Sequence, residues 1–184
     1  MTQRSQLEIT AYHEAGHAVM AMSCGFHVTE ISIEVSENGQ GHTAWQTPMS
    51  MAVAARVGTI MTLASGMAAD YLHCKSLYGE DRQEALLGYK GDEQDANIHL
   101  SEIGQEWAFE YYVGLALRHL KQDEVWQYVK QIAELLKESR LINGRETLHR
   151  VAQQIPKIPA QTLETYKFIV EDMYKLEQIH AERN

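Results

Sequence analysis

The chain has 184 residues, 45% of them hydrophobic, with a formal net charge of −9 and an isoelectric point near 5.4. That length suits one globular unit with a sizeable core. The acidic balance argues against nucleic acid or an anionic membrane surface as the main partner, because both call for clustered Lys and Arg. The acid excess is local, with nine acidic and two basic side chains between residues 80 and 110, and most of that stretch reads as a solvated face.

Two cysteines, Cys24 and Cys74, form neither a metal-type pair nor a disulfide framework, which suits a reducing compartment. The first residues lack a signal-peptide core. The longest apolar run, residues 51–69, is interrupted by Arg56 and by Gly58, Thr59, Thr62, Ser65 and Gly66, too often for a membrane span. The expectation is a cytoplasmic protein without membrane insertion.

In chain order, Ser5 followed by Glu8 is a capping-box signature, and Leu7, Ile9, Tyr12, Ala15, Val19 and Met20 keep helical spacing up to Gly25. A first helix is predicted from Gln6 to Cys24. Within it stands His13-Glu14-Ala15-Gly16-His17. Positions 13 and 17 share a helix face one turn apart, so both imidazoles can reach one metal ion, and Glu14 leans toward the same spot. A zinc peptidase needs this set: the metal acidifies a water and the carboxylate takes its proton. Gly16, costly inside a helix by about 1 kcal/mol relative to Ala, points to close approach of another backbone or of a substrate.

Val28 to Val35 alternates apolar and polar residues as a half-buried strand does. Ser36 to Gly41, around Asn38-Gly39, supplies a turn, and His42 to Gln46 returns as the second strand of a hairpin, whose edge could take up an extended peptide. Thr47-Pro48 announces a long buried helix over residues 50–74, in which Asp70 is a carboxylate in want of a histidine, a backbone donor or a metal. Residues 75–91 read as a loop. A helical pattern returns from Asp92 to Leu120, with Gly104 and Gly114 placed to bend or divide it. A third stripe covers residues 123–138, Asn143 with Glu146 suggests a short helix start, and a last helix follows Pro156 and Pro159.

Catalytic zinc usually takes three protein ligands and a water. From chemistry alone the candidates for the third are Asp70, Asp92, Glu93, Asp95 and His99.

Ala11-Tyr12-His13-Glu14-Ala15-Gly16-His17-Ala18 resembles the active-site helix of the FtsH-type zinc proteases. Three later stretches agree in order and spacing. Val28 to Thr43, ending Gly41-His42-Thr43, resembles the family's strand and Gly-Tyr-Thr segment. Ser65 to Asp70 resembles its Gly-Gly-Arg-Ala-Ala-Glu helix, and Gly91-Asp92-Glu93-Gln94-Asp95 resembles the Gly-Ala-x-x-Asp segment that provides the third ligand. The resemblance implies Zn2+ held by His13, His17 and Asp95, with Glu14 as the catalytic base. It makes Asp70 a supporting or alternative acidic group, and Gly41, His42 and Thr43 the substrate-binding segment. His99, on one helix face with Asp95, would order that residue, compete for metal or fill space.

The reading is an α+β, mainly α-helical fold: a zincin-like active-site helix, a small β-hairpin and a C-terminal helical bundle. Residues 1–120 form the peptidase core and 121–184 the helices packed on it. The expected activity is that of a zinc metalloendopeptidase acting on peptides or unfolded protein segments. The family's ATPase module and membrane anchors have no counterpart in this sequence, so any unfolding motor would be a separate ATPase partner. Assembly with further copies of the chain rests on the same analogy. The rival reading is an inactive protease-like binding or adaptor module, kept open by departures around Gly41, Gly66 and His99.

Overall fold

The structure, a computed structural model, describes residues 4–34, 41–47, 52–79 and 90–182. Helix α1 (Gln6–Ser23) starts at Ser5, whose hydroxyl accepts the Glu8 N–H at 3.2 Å. Such a cap is worth about 0.5–2 kcal/mol relative to alanine. At its far end Gly25 turns the chain with φ 80° into β1 (His27–Ser32). Strand β2 (His42–Gln46) pairs antiparallel with β1, as the hairpin pattern predicts, while the turn at 35–40 and the helix start at Pro48 lie outside the described residues.

Strand β3 (Leu141–Asn143) pairs antiparallel with the other side of β1, giving the order β2-β1-β3. Three residues are too few to show an alternating pattern, so nothing in the sequence announces this strand. Asn143, expected to cap a helix, pairs in the sheet with Glu30. Helix α6 (Arg145–Gln154) begins instead after Gly144, at φ 135°, without a side-chain cap.

Helix α2 (Val53–Tyr78) outruns its expected end by about one turn and stops at Gly79, which takes φ 69° and donates its N–H to the Lys75 carbonyl. The single helix expected from Asp92 to Leu120 is two, α3 (Lys90–Glu102) and α4 (Phe109–Leu120). Gly104, at φ 71°, divides them, with Gln105 N–H bonded back to the Leu100 carbonyl and Gly104 N–H to that of Ser101, a Schellman closure. Helix α5 (Asp123–Ser139) and helix α7 (Ala160–Ala181) match their expected stripes.

The molecule is thus mainly helical with one small antiparallel sheet, an α+β architecture. Helix α1 is its axis: α2 crosses one side, α5 another, and β1 packs beside them. The crossing with α2 is close because Gly16 has no side chain. A Cβ there would stand 2.6 Å from both the Ser65 carbonyl oxygen and the Ala69 Cβ. Ala69 and Ser65, the residues of α2 at this crossing, are fully buried.

Polar bolts join the outer helices to this centre. His119 Nε2 and Ser23 Oγ lie 2.9 Å apart between α4 and α1. Buried Gln105 accepts from the Tyr112 hydroxyl and donates to the Lys167 carbonyl of α7 at 2.9 Å. Among the described residues no helix is long and apolar enough to cross a membrane.

Candidate metal centre

The helical spacing of His13 and His17 puts both rings on the face of α1 that meets α2. Each ring is tied at Nδ1. His17 Nδ1 lies 2.7 Å from the Thr62 carbonyl of α2, and since a carbonyl only accepts, this nitrogen carries the proton. His13 Nδ1 lies 3.0 Å from Asp70 Oδ2, also on α2, and donates to that carboxylate in the same way. Both Nε2 atoms are thereby turned to a common point, where Asp92 of α3 meets them: its Oδ2 is 3.1 Å from His13 Nε2 and 3.3 Å from His17 Nε2.

His13, His17 and Asp92 each bring one ligand atom to within 4.8 Å of the others. Two imidazoles and one carboxylate are the donors a catalytic zinc site uses, with a further position left for water. The surroundings fit a metal as well. A Cβ on Gly66 would fall 2.5 Å from His17 Nε2 and 2.6 Å from His13 Nε2, so the bare glycine leaves the space next to both ligand atoms clear. The Nδ1 partners fix ring orientation and tautomer, as metal-ligating histidines require.

Electrostatics within the site favour positive charge between these groups. Burial alone would push His13 down, but hydrogen bonds and charges from Asp70 and Asp92 raise it well above its ordinary value. For His17, burial is again outweighed by Asp92, with a smaller aid from Glu14 and opposition from His13. Asp92 moves the opposite way: burial would raise it, yet His17 and His13 hold it well below the carboxylate range.

Glu14 is buried beside the hairpin. The Thr43 hydroxyl lies 2.8 Å from Glu14 Oε2 and 3.1 Å from the Glu14 carbonyl, and its single proton serves one of them at a time. Gly41 allows this contact, since a Cβ there would stand 2.9 Å from Glu14 Oε1. Because neighbouring strand residues face opposite sides, His42 points away from Thr43, and its Nε2 pairs with Glu30 Oε1 at 2.8 Å on the exposed face.

The carboxylate that faces both imidazoles is that of Asp92, whereas the FtsH-type resemblance selects Asp95. Asp95 is exposed one turn further along α3 and lies outside the group of three that could hold a metal ion. Asp92 stands in the first turn of α3, and from there its Oδ2 faces both imidazoles. His99 follows two turns after Asp92, and its buried Nδ1 has no hydrogen-bond partner among the described residues. Burial and Arg56 push His99 down, with Asp95 and Glu102 opposing. Asp70 stands behind His13, where its carboxylate finds the histidine ring that its burial requires.

A histidine pair on one helix, a carboxylate from another and a buried glutamate beside the pair define a metallopeptidase-like centre. In agreement, residues 4–77 match the family model described as Peptidase M50B-like, a metal-dependent peptidase group. The match spans α1, the described hairpin strands and nearly all of α2, less than half of the chain, and supports a metallopeptidase-related protein. It stops short of α3 and therefore does not include Asp92. No curated protein matches the chain.

Proposed function

We propose that this chain is a zinc-dependent endopeptidase that hydrolyses peptide bonds in short peptides or unfolded protein segments. The observation that carries this reading is the convergence of His13 Nε2, His17 Nε2 and Asp92 Oδ2 on one point, with Glu14 buried in the same helix. The reading assigns metal ligation to these three residues, with Asp92 in the role that the resemblance gives to Asp95. A divalent ion bound there would polarise the scissile carbonyl and acidify a water.

Glu14 is the general base in this reading: it takes a proton from the attacking water and gives it to the departing amine, and the Thr43 hydroxyl holds its carboxylate between these events. Asp70 and the Thr62 carbonyl keep both imidazoles in the tautomer that presents a lone pair at Nε2. Strand β2 is an edge strand of the sheet, so an extended substrate could align along it near Glu14. The FtsH-type likeness of the ligand helix favours zinc as the metal, and a separate ATPase partner is the natural source of unfolded substrate.

Elemental analysis of protein prepared without added metal, beside His17→Ala and Asp92→Ala, tests the reading. About one zinc per chain in the wild type and strong depletion in both variants would support it. Absence of bound metal in the wild type after zinc is supplied would overturn it.

A further inference from the structure

Behind the site described above, Asp70 has one carboxylate oxygen on His13 Nδ1 and a second, Oδ1, that is buried without a hydrogen-bond partner among the described residues. The nearest cation is Arg4. Its NH1 lies 4.0 Å from Asp70 Oδ1, 3.4 Å from the Asp70 carbonyl and 3.4 Å from His73 Nδ1. The Arg4 and Asp70 side chains are each 4% exposed. Arginine can only donate, so His73 Nδ1 is the acceptor and its Nε2–H faces Glu8 Oε1 at 3.5 Å.

The Arg4 backbone N–H donates to the Tyr78 hydroxyl at 3.1 Å, pinning the segment before α1 to the last turn of α2. The His73 ring is itself fixed, stacked on Tyr12 with centroids 3.6 Å apart and planes within 5°. Arg4 is therefore held from three directions with its guanidinium against Asp70.

We propose that Arg4 is a positioning residue for the metal centre: by holding the Asp70 carboxylate in place it aims the His13 ring, and so sets metal affinity without touching the metal. The inference rests on the metal-site reading of His13, His17 and Asp92. Its physical basis is that a buried carboxylate needs a paired cation, and that a carboxylate free to turn would let the imidazole turn with it. Outer partners of ligating histidines typically govern about 10–100-fold in metal affinity. Arg4 acts one group further out, so a smaller factor is expected.

The test measures zinc dissociation constants of the full chain by competition with a chromophoric chelator. The proteins compared are wild type, Arg4→Met, Arg4→Lys, Asp70→Asn and the Arg4→Met/Asp70→Asn double variant, with metal-free unfolding recorded for each. Arg4→Met is expected to weaken zinc binding by about three- to tenfold, Arg4→Lys to recover most of that, and the Arg4 effect to vanish when Asp70 is already Asn. A purely structural Arg4 would lower unfolding stability while leaving affinity within about twofold of wild type, and that result would overturn the proposal. So would an equal Arg4 effect in the Asp70→Asn background. If the wild type fails to bind zinc, the metal-site reading falls and this inference with it; if it binds while the Arg4 variants match it, only the inference falls.

Discussion

Gly66 lies against His17 so closely that a single added methyl group would sit 2.5 Å from its Nε2. The helix would otherwise welcome alanine, which is about 1 kcal/mol better than glycine in a helix interior. The methyl group would press on two buried rings that are tied at Nδ1. Gly66→Ala should therefore lose about 1–3 kcal/mol of metal-free stability through overpacking, and zinc affinity should fall by about tenfold or more. Chelator competition beside thermal unfolding in EDTA reads both, and undiminished zinc binding would mean that the metal lies elsewhere.

Asp92 and Asp95 are separated by one helical turn and by the outcome of one comparison. Asp92→Asn removes the carboxylate that faces both imidazoles and should weaken zinc binding beyond the roughly 10–100-fold typical of an outer partner. Asp95→Asn, at an exposed position, should bind zinc as wild type does. The reverse result would restore the ligand set implied by the FtsH-type resemblance.

Glu14 touches neither of the Nδ1 partners that fix the imidazoles. Glu14→Gln should retain stoichiometric zinc and lose about 10²–10⁴-fold in cleavage rate, the usual contribution of a general base. Peptide-library digestion with matched metal content is the assay, and cleavage at the wild-type rate would strip Glu14 of its role.

His73 gives the metal-free protein a pH signature. Burial, with added repulsion from Arg4 and Lys137, pushes this ring down to about 4, whereas an unfolded histidine titrates near about 6.5. As pH falls, the unfolded chain takes up the proton first, so the stabilising contribution of the neutral ring is full above about pH 6.5 and dwindles toward pH 4. His119, pushed down by burial, adds a term of the same sign. His13 and His17 are shifted upward and act in the opposite sense, but they are common to wild type and His73→Phe. Urea unfolding in EDTA should therefore show a larger loss of stability between about pH 7 and pH 4.5 for wild type than for His73→Phe. Equal losses would remove His73 from the account.

The α1–α2 crossing offers a packing test. Gly16→Ala gains helix propensity but forces a methyl group to 2.6 Å from the Ser65 carbonyl oxygen, a backbone atom that cannot rotate aside. Overpacking of this kind costs about 1–3 kcal/mol, so net destabilisation is expected in urea unfolding. A more stable variant would mean that the two helices separate easily.

The parts of the site written in local periodicity were legible in the sequence. His13, Glu14 and His17 are three residues of one helix, and Gly16 stands out because a helix has no local use for it. Asp70 stands out as a carboxylate in an apolar helix, and its partner, the His13 ring, is one of the kinds such a group can take. The choice between Asp92 and Asp95 was not legible: both fit a helical repeat, and which of them meets the imidazoles depends on how α3 packs on α2. The Thr62 carbonyl carries no side-chain signature at all. Strand β3 was hidden for a different reason, since its three residues are ordered by pairing with β1 and not by a pattern of their own. Gly104 was marked as a point of division, and its positive φ made that division real.

The seam of glycine, alanine and serine between α1 and α2 has a dynamic consequence. Alanine and glycine have no side-chain rotamers, so this interface has few alternative packings into which it could relax. The helix that presents both imidazoles and the helix that anchors their Nδ1 atoms should behave as one stiff plate, exchanging amide hydrogens only when the whole protein opens. Motion that admits a substrate must then come from the rim of the plate, from the outer strand carrying Thr43 and from the first turn of α3 carrying Asp92. The hydroxyl that steadies Glu14 and the carboxylate that faces the imidazoles thus sit on that rim, while the histidines stay put.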